Sequence, residues 1–222
     1  QKGFENVDVS GVTGSFGAQI TAISTGSTIT GTTNADVVNG GVGNDVYVLA
    51  DLTTDTVNGV SGTDSLAAVG GVTIANSDDF ATYTNFDKLI ASSATASVIS
   101  FSSHADFFTD TGIGTIDLSA DTDTSGSNVI NVSAGSNSAA ISITGSAGVD
   151  TITGDAGIDT INGGDGADVI TGAAGADVID GQDGNDSFVY LLTADLFVDS
   201  TNAIVDTSLA GSGGTADQLT DG

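Results

Sequence analysis

From Gly154 to Val189 the chain reads GDAGIDTINGGDGADVITGAAGADVIDGQDGNDSFV, with an aspartate every nine residues and a large apolar residue two positions after each. Carboxylates at this density suit two chemistries: proton transfer between paired acids, or coordination of a hard cation by oxygen. Written as G-G-x-G-x-D-x-U-x, with U apolar, five tandem copies fill 145–189 without an insertion, and their sixth positions are Asp150, Asp159, Asp168, Asp177 and Asp186. A second, more worn array at 31–67 carries Asp36, Asp45, Asp55 and Asp64, with Leu49 as one extra residue.

The elements that position these aspartates follow from the same period. Glycines at positions one, two and four let the backbone turn through positive φ, and x-U-x is long enough for one very short strand. Each nonapeptide is therefore half a coil, and two make a turn of about 18 residues. Asp150, Asp168 and Asp186 then stack on one edge, and Asp159 and Asp177 on the other. In the first array the extra residue pairs Asp36 with Asp55 and Asp45 with Asp64. Coils separated by the inter-strand distance of roughly 4.8 Å would bring the stacked carboxylates into repulsion. A cation between successive turns removes that conflict, and Ca²⁺, which takes six to eight oxygen ligands, suits carboxylates and turn carbonyls better than octahedral Mg²⁺. One buried residue per nonapeptide, such as Ile161 or Ile170, cannot offset the entropy of ordering nine backbone units. Metal binding must then be part of the folding free energy, with several Ca²⁺ ions per chain.

These repeats resemble the RTX, or haemolysin-type, calcium-binding family, and the flanks look like the FENV and FEKL segments of large repetitive bacterial surface proteins. The resemblance implies a right-handed parallel β-roll with calcium in the turns, export unfolded by a one-step (type I) secretion system, and folding in external calcium. It makes the nine position-six aspartates ligands, with backbone carbonyls of Gly163, Asp165, Gly181 and Asp183 as co-ligands. The first array departs from the motif at Asn34, Thr54 and Ala50, which implies fewer or weaker sites there.

Composition narrows the partners. With 29 acidic residues against Lys2 and Lys88, the net charge of -27 leaves nothing to neutralise a phosphate backbone or an anionic membrane. No apolar run approaches the roughly 18 residues of a membrane span. Absence of cysteine excludes a disulfide framework and thiolate metal sites. The chain opens on Gln1 without a signal-like apolar stretch, which reads as a processed product or an excerpt.

Larger self-similarity divides the chain into two related modules, all-β, with irregular β segments between the arrays. Residues 1–80 hold flanking strands and the array 31–67. Residues 81–222 hold flanking strands at 81–144, the array 145–189 and a strand-rich tail at 190–222. FENVDVSG at Phe4 matches FDKLIASS at Phe86. TIDLS (115–119), NVINVS (128–133) and AISIT (140–144) alternate with period two, and Ile143 and Ile152 are nine apart. A continuous solenoid with longer loops is the simplest reading, a separate small sandwich the alternative. Helical turns are expected only within 76–110.

No constellation points to an enzyme. His104 beside Asp106 lacks a positioned nucleophile or oxyanion motif and reads as a surface histidine. Carboxylates committed to calcium are poor acid/base pairs. The Asn131-Val132-Ser133 sequon reads as chance. Asn44 and Asn185, both in GND, are expected in a left-handed turn conformation. Phe107, Phe108, Phe188 and Tyr190 read as core or capping residues. Three classes remain: a calcium-dependent homopolymer forming a surface layer (S-layer) or extracellular matrix filament, the stiffened stalk of a large adhesin, and the tail of a secreted enzyme or toxin. All three place the chain outside the cell, at a bacterial surface, where a cell-surface polysaccharide is a further candidate partner.

Overall fold

The computed structural model describes residues 6–12, 15–22, 26–49, 55–69, 73–74, 80–91, 100–102, 107–133, 139–190 and 218–221. Most strands are two to four residues long because each repeat offers little chain between turns, and two run to seven residues through the turn that follows. The first three coils place β1 (Asn6–Asp8), β3 (Thr28–Thr30) and β5 (Val46–Leu49) on one face and β2 (Gln19–Thr21), β4 (Val37–Asn39) and β6 (Thr56–Asn58) on the other. The fourth carries β7 (Ser65–Ala68), β8 (Thr73–Ile74) and β9 (Tyr83–Thr84). β10 (Lys88–Ala91) and β11 (Ser100–Ser102) follow, then the five-residue helix α1 (Phe107–Thr111), β12 (Thr115–Asp117) and β13 (Val129–Asn131). The last coils hold β14 (Ser142–Thr144) with β15 (Thr151–Thr153), β16 (Thr160–Gly166) with β17 (Val169–Thr171), and β18 (Val178–Gly184) with β19 (Ser187–Tyr190). β20 (Gln218–Asp221) lies beyond them.

The first face is one nine-stranded sheet in the order β1-β3-β5-β7-β10-β12-β14-β16-β18, every pair parallel. The second face is split into a four-stranded sheet, β2-β4-β6-β9, and a seven-stranded one, β8-β11-β13-β15-β17-β19-β20. The fold is thus an all-β parallel solenoid. β12, β13 and β14 belong to the same sheets as the array that follows, so TIDLS, NVINVS and AISIT continue the solenoid and form no separate sandwich. The first face also runs across residues 80 and 81, through Lys88 paired with Ser65. The division of the second face occurs in the fourth coil, where β9 ends one sheet and β8 starts the next.

Coil length sets the width of the interior and so the size of side chain that fills it. Where coils are 18 residues long the core is one apolar residue per half-turn: Ile143, Ile152, Ile161 and Ile170, each fully buried. The fourth coil is longer, with 23 residues between Asp64 and Asp87. Lys88 pairs with Thr115 a further 27 residues on. Aromatic rings fill this wider section. Phe80 lies 5.2 Å from Tyr83 and 4.9 Å from Phe107, centroid to centroid, and Phe107 lies 5.3 Å from Phe108. Helix α1 brings both of its phenylalanines into this core, as expected for Phe107 and Phe108, and Phe188 is buried in the last coil. Among the described residues no helix is long and apolar enough to cross a membrane. His104, Asp106, Ala50, Thr54 and most of the 190–222 tail lie outside the described residues.

One local expectation is corrected. Left-handed backbone outside glycine occurs at Val60, Asn85, Ala173 and Gln182, and not at Asn44 or Asn185. Asn44 instead uses its side chain, whose Oδ1 accepts the Thr63 N–H of the next coil at 2.9 Å. Val60, Ala173 and Gln182 fall at position two of the repeat, where Gly41 and Gly164 also have positive φ, and Asn85 lies outside the arrays.

Candidate metal centre

The residue just before each strand forms a column up the solenoid, and most of these residues are aspartates. Their nine side chains within the two arrays are 0–6% exposed. In each case Oδ1 accepts the backbone N–H of the column residue one coil earlier. Asp45 accepts from Ser27 at 2.6 Å and Asp64 from Asp45 at 2.8 Å, and Asp159 from Ile141 at 3.0 Å and Asp177 from Asp159 at 2.9 Å. On the other edge, Asp36 accepts from Ala18 at 2.6 Å and Asp55 from Asp36 at 2.8 Å. Asp150 accepts from Asn128 at 3.0 Å, Asp168 from Asp150 at 2.8 Å and Asp186 from Asp168 at 2.9 Å. The two edges and the 19-residue step across Leu49 are those the period predicts. Charge-assisted bonds of this kind are short and strong, and here they tie coil to coil.

The second carboxylate oxygen meets two kinds of turn. At Thr32, Ser146 and Asp155, all in position two, the backbone N–H donates to Oδ2 of the aspartate in the same repeat, at 2.7, 2.6 and 2.9 Å. Where position two is left-handed, as at Gly41 and Gly164, that hydrogen bond is missing. Oδ2 of Asp45 and of Asp168 is buried without a hydrogen-bond partner. Backbone conformation at one residue thus decides whether the carboxylate is closed by its own turn or left open.

Glycine at position one makes room for Oδ2. A Cβ on Gly154 would lie 2.7 Å from Asp159 Oδ2, and one on Gly145 would lie 2.6 Å from Asp150 Oδ2 and overlap the Gly163 carbonyl. Next to Gly163 the same space is bordered by Asp168 Oδ2 and, 2.8 Å from an added Cβ, by the Gly181 carbonyl. So the carbonyls of Gly163 and Gly181 lie beside the carboxylate of the preceding coil. Asp165 and Asp183 are partners in the β16–β18 register, with exposed side chains.

Burial dominates the electrostatics. It raises the carboxyl pKa of Asp45, Asp64, Asp150 and Asp155, and it raises Asp168 to about 7 with a further contribution from Asp150 and Asp186. In the first array Asp55 Oδ2 accepts the hydroxyls of Tyr47 at 2.7 Å and Tyr83 at 3.3 Å. The Tyr47 hydroxyl is held well above its ordinary pKa by burial and then by that hydrogen bond. Two residues that the nonapeptide pattern passes over belong to the ladder. Asp87 accepts the Asp64 N–H at 2.8 Å, and Asp155 is a second buried carboxylate beside Asp159, with its Oδ2 unpartnered. The signal for Asp87 was its place just before an apolar alternating segment.

Among the described residues no three His, Asp or Glu side chains form a ready metal cage. Each turn instead offers one carboxylate with carbonyls around it. That set fits Ca²⁺: hard oxygens only, buried negative charge, open Oδ2 atoms, and a space that a single methyl group would fill. When bound, the ion supplies the positive charge that stacked carboxylates lack.

The family model of the RTX calcium-binding nonapeptide repeat, in four copies, matches residues 25–51, 144–178 and 153–188, which reach into both aspartate arrays. No curated protein and no solved structure matches the chain. Repeats of this type bind calcium ions in their turns. With the parallel solenoid and its two aspartate columns, these matches identify the two arrays as RTX-type calcium-binding nonapeptide repeats.

Proposed function

We propose that this is an extracellular structural protein whose C-terminal array folds around calcium and whose coils then join end to end as an S-layer or matrix filament. The position-six aspartates are its ligands. Asp45 and Asp168, whose turns leave Oδ2 open, hold ions most readily, with the carbonyls of Gly163 and Gly181 and those of Asp165 and Asp183 completing the shells. Asp36 and Asp150 are partly closed by their own turns and bind more weakly. The homopolymer is the partner, and a cell-surface polysaccharide is a second one at the face where the layer meets the cell. Export in an unfolded state fits a chain that needs external calcium to order its coils.

The observation that supports assembly is the end of the nine-stranded sheet. Among the described residues nothing pairs with the outer edge of β1 or of β18, and such edges accept another chain unless they are capped. Phe16, 85% exposed on the first coil, adds apolar surface at one end. The test is light scattering across a calcium titration at fixed protein concentration. Growth of large species in step with the β signal is expected. A folded, calcium-loaded species that stays monomeric at high concentration contradicts assembly and leaves the adhesin stalk or enzyme tail.

A further inference from the structure

The segment Asp121-Thr122-Asp123-Thr124-Ser125-Gly126 alternates oxygen-bearing side chains and ends in glycine. That spacing can turn successive oxygens toward the inside of a loop. It lies outside the nonapeptide arrays and outside the residues matched by the family model. Its first residue is the informative one. Asp121 is 1% exposed. Its N–H donates to the Leu118 carbonyl at 2.9 Å and its own carbonyl accepts the Ala147 N–H at 3.0 Å, which fixes it beneath the first turn of the C-terminal array. Oδ1 accepts the Asp123 N–H at 3.1 Å, so the carboxylate faces its own loop. Oδ2 is buried there with no hydrogen-bond partner.

Backbone oxygens converge on the same turn. A Cβ added to Gly148 would lie 2.8 Å from the Asp123 carbonyl and 2.5 Å from the Gly126 carbonyl, so one small space borders both. The column position here is neutral. Asn128 stands where later coils have Asp150, Asp168 and Asp186, and its side chain donates to Ser146 Oγ at 2.9 Å. Negative charge at this level therefore comes from Asp121 and Asp123, and the chain's only basic side chains besides His104 are Lys2 and Lys88.

We propose that the 121–126 loop binds one additional Ca²⁺ ion, held by the carboxylates of Asp121 and Asp123 with the carbonyls of Asp123 and Gly126, at the head of the C-terminal ladder. The ion joins the loop after β12 to the turn at 145–148, where the wide aromatic coils meet the narrow array. This rests on the calcium reading of the array but concerns residues that the nonapeptide does not include.

The test counts ions on the full chain by equilibrium dialysis with radioactive calcium, in wild type and in Asp121→Asn, Asp123→Asn and Asp117→Asn. Asp117 ends β12 and its Oδ1 accepts the N–H and hydroxyl of Ser119, as Asp123 Oδ1 accepts those of Ser125, so it serves as the matched control. Asp121→Asn is expected to bind at least one ion fewer than wild type, with Asp117→Asn unchanged. If Asp121→Asn fails to fold, Asp123→Asn at the partly exposed lip decides the matter, with one site expected to weaken tenfold or more. Unchanged stoichiometry and affinity in Asp123→Asn and in any folded Asp121→Asn overturn the proposal while the ladder stands. Wild-type protein that binds no calcium overturns both.

Discussion

Asp55 and Asp168 occupy the same column position in the two arrays, yet their second oxygens have different surroundings. Asp55 Oδ2 receives hydroxyls from Tyr47 and Tyr83, and Thr32 closes the neighbouring Asp36 through its N–H and its hydroxyl, at 2.7 and 2.9 Å. Asp168 Oδ2 receives nothing, and its carboxyl is pushed up to about 7. The cores differ in the same sense. Tyr47 and Tyr83 lie 6.3 Å apart, centroid to centroid, and lead into the aromatic cluster of the wide coils, whereas the C-terminal coils hold one isoleucine per half-turn until Phe188 in the last. Between these two aspartates the motif is satisfied from within the protein in one case and left for an ion in the other, although each array also holds the opposite kind, with Asp45 Oδ2 open in the first and Ser146 closing Asp150 in the second. Hydrophobic burial is larger where the coil is wider, so the dependence on metal should grow toward the C-terminus.

The largest effect that would sharpen this contrast comes from one substitution made in both regions. Gly166 has φ +126° and an added Cβ would overlap the Gly148 carbonyl, while Gly114 has nothing within 4 Å. Gly166→Ala should cost about 3 kcal/mol or more and abolish the calcium-induced β signal of the array. Gly114→Ala should change stability by less than about 0.5 kcal/mol. Thermal unfolding in saturating calcium reads both, and equal costs would break the comparison.

Next in size is Tyr47→Phe, which removes a hydroxyl donor from a buried carboxylate and should cost about 1–3 kcal/mol. The loss should persist in chelator, because the donor belongs to the protein. A loss seen only with calcium present would mean that Asp55 is satisfied by an ion after all.

Asp168→Asn should act in opposite directions with and without metal. In calcium the folding midpoint should rise about tenfold in concentration, or about 1.4 kcal/mol. In chelator the neutral amide should stabilise the coil. The pH dependence follows from the raised pKa. The metal-free fold binds a proton at Asp168 that the unfolded chain, with a pKa of 3.8, releases more readily. The resulting stability is fully present below about 3.8 and lost as pH rises through about 7. Circular dichroism in chelator should therefore show more β structure at pH 5 than at pH 8, and less of this difference in Asp168→Asn. A pH-independent spectrum would contradict the burial of that charge.

The column of aspartates was legible because register in a solenoid is a local property. Nine residues give half a coil wherever the turn glycines recur, and the extra Leu49 only lengthens one step, so Asp36–Asp55 and Asp45–Asp64 pair as the spacing requires. The longer coils were less legible. Asp87 joins the ladder after 23 residues, and β8 and β9 exchange the second face, because the coils there are lengthened by segments without the nine-residue period. Position two was missed for another reason. Gly41 and Gly164 are left-handed while Thr32 and Ser146 turn inward, yet Val60, Ala173 and Gln182 are left-handed without being glycine, so residue type at position two does not give its conformation. Asn44 illustrates the same limit, since its side chain is spent on Thr63 of the next coil.

The central claim is that calcium holds the C-terminal array while the aromatic coils have a core of their own. Hydrogen exchange of the full chain, followed by mass spectrometry with and without calcium, tests it most directly. In chelator, amides of 145–190 should exchange close to the unprotected rate while those of 80–91 and 107–118 stay protected, and calcium should restore protection to 145–190. An array already protected in chelator, or two regions that gain protection together and equally, would contradict the account.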